Sequence, residues 1–292
     1  MFLPTTIKEV RALGWDYIDV ILFTGDAYID HPAFGAAVIG RLLEAEGYRV
    51  AIVPQPNWRD DLRDFTKLGA PRLFFGVSAG AMDSMVNHYT ANIRLRSNDA
   101  YTAGGKAGFR PDYAATVYCQ ILKRLYPHVP VVVGGIEASL RRLTHYDYWS
   151  DSLKPSMLID SGADLLMYGM GERVVQQVAK AMRNGFNAKL LRKIRQVAFV
   201  ADKSYVERLD PATTRMLHSF EECQRDKRAF AENFVVEETL SNVMEAEETL
   251  VEQVGDKYVV VTPPNTTLTT EELDHSFDLP YERQPHPRYN GK

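Results

Sequence analysis

Cysteine is scarce, with only Cys119 and Cys223 in 292 residues. Two such distant cysteines exclude a disulfide framework and any cluster site built from three or four thiolates of one motif. A basic surplus is missing too: 34 Lys and Arg against 38 Asp and Glu leave a net charge of −4, so no electrostatic footprint invites nucleic acid. The longest apolar runs, such as Val129–Val133, fall far short of the roughly 20 residues that cross a bilayer as a helix. The opening Met1-Phe2-Leu3-Pro4, followed by Lys8, Glu9 and Arg11, lacks the apolar core of a signal peptide. These absences lead to the expectation of a soluble, cytoplasmic protein with neither membrane nor nucleic acid as partner. What is present is an ordinary globular composition, 45% hydrophobic and 25% charged. A chain of this length buries a large core without metal or disulfide staples.

Through the first two thirds, apolar runs alternate with amphipathic stretches. Tyr17–Thr24, Tyr48–Val53, Arg72–Val77, Val129–Val133 and Asp164–Tyr168 read as strands. Pro32 to Glu46 carries Phe34, Val38, Leu42 and Ala45 at helical spacing, with Asp30 as candidate cap and Gly47 as the stop. Asp112–Leu125 reads as a second helix, and a third follows Gly171 to about Arg183. Continuous apolar strands separated by helices predict a parallel sheet covered on both faces. The fold expected is α/β: a doubly wound, mostly parallel Rossmann-like sheet over 1–205, then an acidic helical extension and linker over 206–292. Leu217–Glu252 reads as mostly helical, and from Ala231 to Glu252 it holds seven Glu and no Lys or Arg. Such a face is either solvated or docked on a basic neighbour. Lys257–Val261 is a further strand, and the tail to Lys292 reads as a connector.

In doubly wound sheets the ligand crevice lies beyond the carboxyl ends of the strands. Here those ends carry Asp26, Ser78, Gly80, Gly134, Gly135, Glu137, Gly169, Gly171 and Glu172, which form the candidate crevice. A polar and aromatic segment after the fourth strand, with Arg141, Arg142, His145, Tyr146, Asp147 and Trp149, is a candidate surface for substrate or for another domain. If it is helical, Glu137 and Arg141 form an i,i+4 pair. Residues 87–111 show no regular period, and Arg94, Arg96, Lys106 and Arg110 outnumber Asp99; the segment reads as a lid or anion clamp, or else as a short hairpin. Gly76-Val77-Ser78-Ala79-Gly80 matches the G-x-S-x-G turn of serine hydrolases, with His145 or His218 as the base by chain order. Cys119 and Cys223 read as small apolar fillers.

Long strings resemble the YgiQ-type radical SAM proteins, a family of uncharacterised function: MDSMVNHYTA (82–91), NDAYTAGGKAGFRPD (98–112), VVVGGIEASLRRLTHYDYWSD (131–151), ADLLMYGMGE (163–172) and LTTEELDHSFDLPYERQPHPRY (268–289). The resemblance implies an N-terminal portion similar to a corrinoid-binding domain. A partial TIM barrel would follow, its Cys-x-x-x-Cys-x-x-Cys motif holding a [4Fe–4S] cluster and S-adenosylmethionine. Two distant cysteines cannot supply that motif, so cluster and S-adenosylmethionine are expected of the full-length protein and no cofactor of this chain. Asp30-His31 departs from the Asp-x-His-x-x-Gly pattern of corrinoid domains, which argues against cobalamin. No catalytic residue and no metal ligand is assigned. The expected partners are the radical SAM barrel, reached through Leu268–Lys292, and a substrate of unknown identity, with this chain as an accessory domain that binds or caps substrate. The alternatives are a hydrolase using Ser78 and a stand-alone nucleotide- or corrinoid-binding module.

Overall fold

The computed structural model describes residues 1–183, 185, 187–243 and 245–291. Lys292, the end of the tail, and Met244, within the acidic stretch, lie outside the described residues. Eleven strands are described: β1 (Val20–Thr24), β2 (Val50–Pro54), β3 (Phe74–Ser78), β4 (Val131–Val133), β5 (His145–Asp147), β6 (Ser152–Lys154), β7 (Leu165–Met167), β8 (Val197–Ala201), β9 (Thr214–Met216), β10 (Thr249–Val254) and β11 (Lys257–Val261). Nine of them make one sheet in the order β2-β1-β3-β4-β7-β8-β11-β10-β9, while β5 and β6 pair separately. From β2 to β7 every pairing is parallel. β8 and β11 then join antiparallel, and β9 returns parallel to β10. The fold is thus α/β with a mostly parallel, doubly wound, Rossmann-like sheet.

Alternation within the strands explains the two covered faces. Ile21, Phe23, Phe75, Val77, Val131 and Val133 pack with the helix Ala114–Leu125. Their neighbours Val20, Leu22, Phe74 and Val132 pack on the other face with the helices Gly35–Ala45 and Gly171–Met182. A strand apolar at every position has no solvated face, and β1 through β3 are buried almost throughout.

Several local expectations need correction. Asp30 does not cap the helix Gly35–Ala45, whose N-cap position is Phe34. Its fully buried carboxylate instead pairs with Arg41 and accepts from the Glu282 amide at 2.9 Å. Glu137 and Arg141 lie at the two ends of the helix Ile136–Leu140 without pairing with one another; Glu137 caps two helix starts, described below, and Arg141 pairs with Asp83. The 217–252 stretch holds the helices Phe220–Arg225 and Lys227–Ser241 but ends in β10, because Leu250 and Val251 alternate into the two cores. Residues 87–111 begin at the end of the helix Ser84–His88 and then turn back through antiparallel bridges, Tyr89 to Leu95 and Asn98 to Lys106, which agree with the short-hairpin reading.

Residues past 205 are built onto the same sheet through β9, β10 and β11. The tail crosses the β1 loop: the Arg283 amide donates to Asp30 O at 2.8 Å, and the His286 amide to Tyr28 O at 3.0 Å. Leu279 packs on Val38 and Leu42 of the helix below. No helix among the described residues is long and apolar enough to cross a membrane.

β10 carries a buried acid. Glu252 is 1% exposed and accepts the Thr144 amide at 2.9 Å. Burial, with Glu237 and Glu221 nearby, pushes its carboxyl up to about 7. A raised folded-state value gives stability that is complete below the unfolded value near 4.5 and fades as pH rises through 7. Urea unfolding at pH 5 and pH 8 checks this: the stability lost between those values should shrink by about 1–3 kcal/mol in Glu252→Gln, and an unchanged pH profile would count against it.

Candidate functional site

The strand order reverses between β1 and β3, since β1 leads outward to β2 and the chain then returns to the other side of β1. Such a switch point leaves a crevice where adjacent connections diverge to opposite faces. A cavity of about 350 Å³ occupies it, between the strand ends and the helices Gly35–Ala45 and Gly171–Met182. Phe34, Val38, Ile39, Met167 and Val175 give it apolar walls. Asp26, Ser78, Gly80, Gly134, Gly135, Gly169, Gly171 and Glu172 all line it. Glu137 does not.

Close backbone approach makes two of these glycines necessary. A Cβ on Gly80, whose φ is +120°, would sit 2.1 Å from Asp26 Oδ1, and one on Gly25 would sit 2.1 Å from Ala79 O. The turns after β1 and β3 therefore interlock. Asp26 Oδ2 accepts the Ala81 amide at 2.6 Å, and Arg110, 1% exposed, lies behind the turn. Arg110 Nη2 is 2.9 Å from Asp99 Oδ2 and 3.0 Å from Asp26 Oδ1, while Nη1 donates to Ala79 O at 3.0 Å. Burial raises the Asp26 carboxyl above its usual range even though Arg110 and the Ala81 amide oppose the shift. Glu172 brings a second carboxylate, whose Oε2 is buried with no hydrogen-bond partner among the described residues. Gln196 fixes the β7 turn by donating to Tyr168 O at 2.6 Å and Met170 O at 2.5 Å.

Glu137 is 1% exposed and accepts the amides of Ser84 at 2.7 Å and Ala115 at 3.0 Å. Burial raises its carboxyl, with those amides opposing. Its position makes it a clamp between the starts of the helices Ser84–His88 and Ala114–Leu125, away from the cavity.

The polar and aromatic segment also lies apart from the cavity. Arg142 pairs with Glu237 of the helix Lys227–Ser241 at 2.7 Å, so part of the acidic helix docks on a basic neighbour. Asp147 accepts from Tyr113 Oη at 2.7 Å and from the Ser150 amide at 3.1 Å; burial opposes its ionisation, yet those bonds hold its carboxyl below the usual value. His145 has Nδ1 3.1 Å from Leu143 O, and burial pushes its ring down to about 4. Tyr146 is exposed and donates to Asp151 at 2.6 Å. Trp149 meets Tyr148 edge-on at 5.9 Å.

Ser78 has no histidine among the residues that line its cavity. The two candidate bases are engaged elsewhere, His145 at Leu143 O and His218 at Glu232, so neither is placed at the G-x-S-x-G turn. Nor do the residues fit an iron–sulfur cluster. Among the described residues no three His, Cys, Asp or Glu side chains gather as a metal site. Cys119 is fully buried and its thiol pushed up by burial, and Cys223 sits on another helix with its thiol raised to about 11. His31 Nδ1 accepts the Ala33 amide at 3.1 Å while Asp30 is held by Arg41, so Asp30 does not back that imidazole.

The model of the family described as radical SAM N-terminal matches residues 2–292. The chain belongs to that radical SAM N-terminal family. It is 61% identical to a UPF0313 protein of Porphyromonas gingivalis, covering 100% of this chain and 46% of the relative. A UPF0313 protein of Bacteroides thetaiotaomicron is 57% identical over 100% of this chain and 48% of its own length, and one of Thermotoga neapolitana 46% identical over 99% and 50%. The chain thus spans about half the length of the curated relatives it matches.

Arg110, Asp99 and the Asp30–Arg41 pair were not distinguishable in the sequence from surface charges, for nothing local marks a charge whose partner is distant in the chain. Removing Arg110 would leave Asp26 and Asp99 buried and unbalanced, which costs about 3–5 kcal/mol for a broken buried pair. Arg110→Met should lower unfolding stability in urea by that order, whereas a loss under about 1 kcal/mol would show that the pair does not hold the turns together.

Proposed function

We propose that this domain is the ligand-holding accessory part of a UPF0313-type radical SAM protein. Its strand-end cavity receives part of a substrate whose chemistry is performed by a cluster and S-adenosylmethionine in the remainder of the protein. One observation carries the reading. Exposed apolar side chains stand at the cavity's glycine turns: Met170, which lines the cavity, is 57% exposed, and Ile136, which follows the lining Gly135, is 44% exposed. Neighbouring exposed apolar groups of this kind mark a surface that another body covers, and a body placed there faces the cavity mouth. The domain itself contributes apolar walls, the Asp26 and Glu172 carboxylates, and exclusion of water from whatever is enclosed.

Two measurements test this. Amide hydrogen exchange on the full-length protein and on this chain should differ, with added protection in the full-length protein around 136–141 and 168–171; equal exchange in both would refute the covered rim. Anaerobic reconstitution with iron and sulfide should load a cluster into the full-length protein and none into this chain. A charge-transfer band from this chain alone would overturn the division of labour.

A further inference from the structure

A second concavity, of about 450 Å³, opens beneath the loops that follow β3 and is separate from the strand-end cavity. Its wall contains a histidine set up by a carboxylate. His88, 9% exposed, has Nδ1 2.7 Å from Asp112 Oδ1, and the other Asp112 oxygen accepts from Tyr89 Oη at 2.8 Å. With its carboxylate partner on Nδ1, the ring is fixed in orientation, and its Nε2 has no hydrogen-bond partner among the described residues. The same is true of Asn87 Nδ2, in a residue only 6% exposed. Buried polar groups in folded proteins are nearly always partnered, so two unpartnered atoms on adjacent wall residues need an explanation.

The charges around them supply it. Arg59 and Arg96 line the same groove and form no ion pair among the described residues; their recorded bonds run to the carbonyls of Gly108 and Tyr89. Arg59 also stacks on the Trp58 ring, its guanidinium carbon 3.9 Å from the ring centroid. Deeper in the groove Asp99 is paired with Arg110, which it shares with Asp26, and Asp112 is committed to His88 and Tyr89. What remains unspent is cationic or hydrogen-bonding: two guanidinium groups, an amide N–H and an imidazole nitrogen, beside an aromatic ring.

We propose that this groove binds an oxyanion, the carboxylate or phosphate of an organic molecule whose body lies along Trp58. Arg59 and Arg96 provide the charge, Asn87 donates a hydrogen bond, and His88, oriented by Asp112, offers Nε2 as a further polar contact. This assignment stands on the loops after β3 and does not depend on the role proposed for the strand-end cavity.

Titration calorimetry on the full-length protein tests it, with inorganic phosphate as probe in one arm and succinate in the other. Saturable binding is expected in at least one arm, weakened tenfold or more by Arg59→Gln, Arg96→Gln or His88→Gln. Arg59 and Arg96 are exposed, so their replacement leaves the fold intact, and Arg94→Gln, an exposed arginine outside the groove, should bind as the parent does. Saturation by phosphate alone identifies a phosphate ester as the ligand class, and by succinate alone a carboxylate. The proposal is overturned if neither probe saturates, or if Arg59→Gln and Arg96→Gln bind as tightly as Arg94→Gln.

Discussion

The buried guanidinium of Arg110 is the interaction on which the working end of this domain depends. It joins three pieces of chain: the turn after β1 through Asp26, the turn after β3 through Ala79 O, and the long following loop through Asp99. An isolated charge in that position would be costly, and so would either carboxylate without it. All three must therefore be in place together. The close approach of Gly80 to Asp26 and of Gly25 to Ala79 leaves no room for a relaxed alternative.

A similar pair governs the far side of the cavity. Arg41, on the helix that forms one wall, reaches the buried Asp30, and Asp30 in turn takes the Glu282 amide of the tail. The end of the described chain is thus fastened to the loop after the first strand, some 250 residues away in sequence. Two buried ion pairs flank one crevice, and each holds a remote segment in place: Arg110 reaches back to Asp26, and Asp30 also takes the tail amide. Buried pairs of this kind contribute little net stability compared with apolar packing, but they do specify which surfaces meet. Here the hydrophobic sheet faces provide the driving force for folding, and the ion pairs fix the loops upon it.

Chemically the domain offers two unlike concavities. The one at the strand ends is apolar with two carboxylates, with the exposed Met170 in its lining and the exposed Ile136 next to the lining Gly135. The groove under the loops after β3 is lined by arginines, a tryptophan and a carboxylate-backed histidine. Neither gathers the thiolates of a cluster, and the chain covers about half of its relatives' length.

Local pattern alone determined a good deal of this protein. Apolar runs such as Val20–Thr24 and Phe74–Ser78, spaced by amphipathic helices, dictate a parallel sheet with both faces covered, because period and hydrophobicity are properties of neighbouring residues. The glycine-rich strand ends marked the crevice for the same reason, and eight of the nine residues read as its lining do line the cavity. The ninth, Glu137, shares their sequence neighbourhood, but its helix turns the carboxylate back onto the amides of Ser84 and Ala115. The antiparallel half of the sheet, the docked tail, the burial of Arg110, Asp30 and Glu252, and the pairing of His88 with Asp112 were decided only by tertiary structure. Each joins groups distant along the chain, and a charge bound for the interior has the same local surroundings in sequence as one bound for solvent.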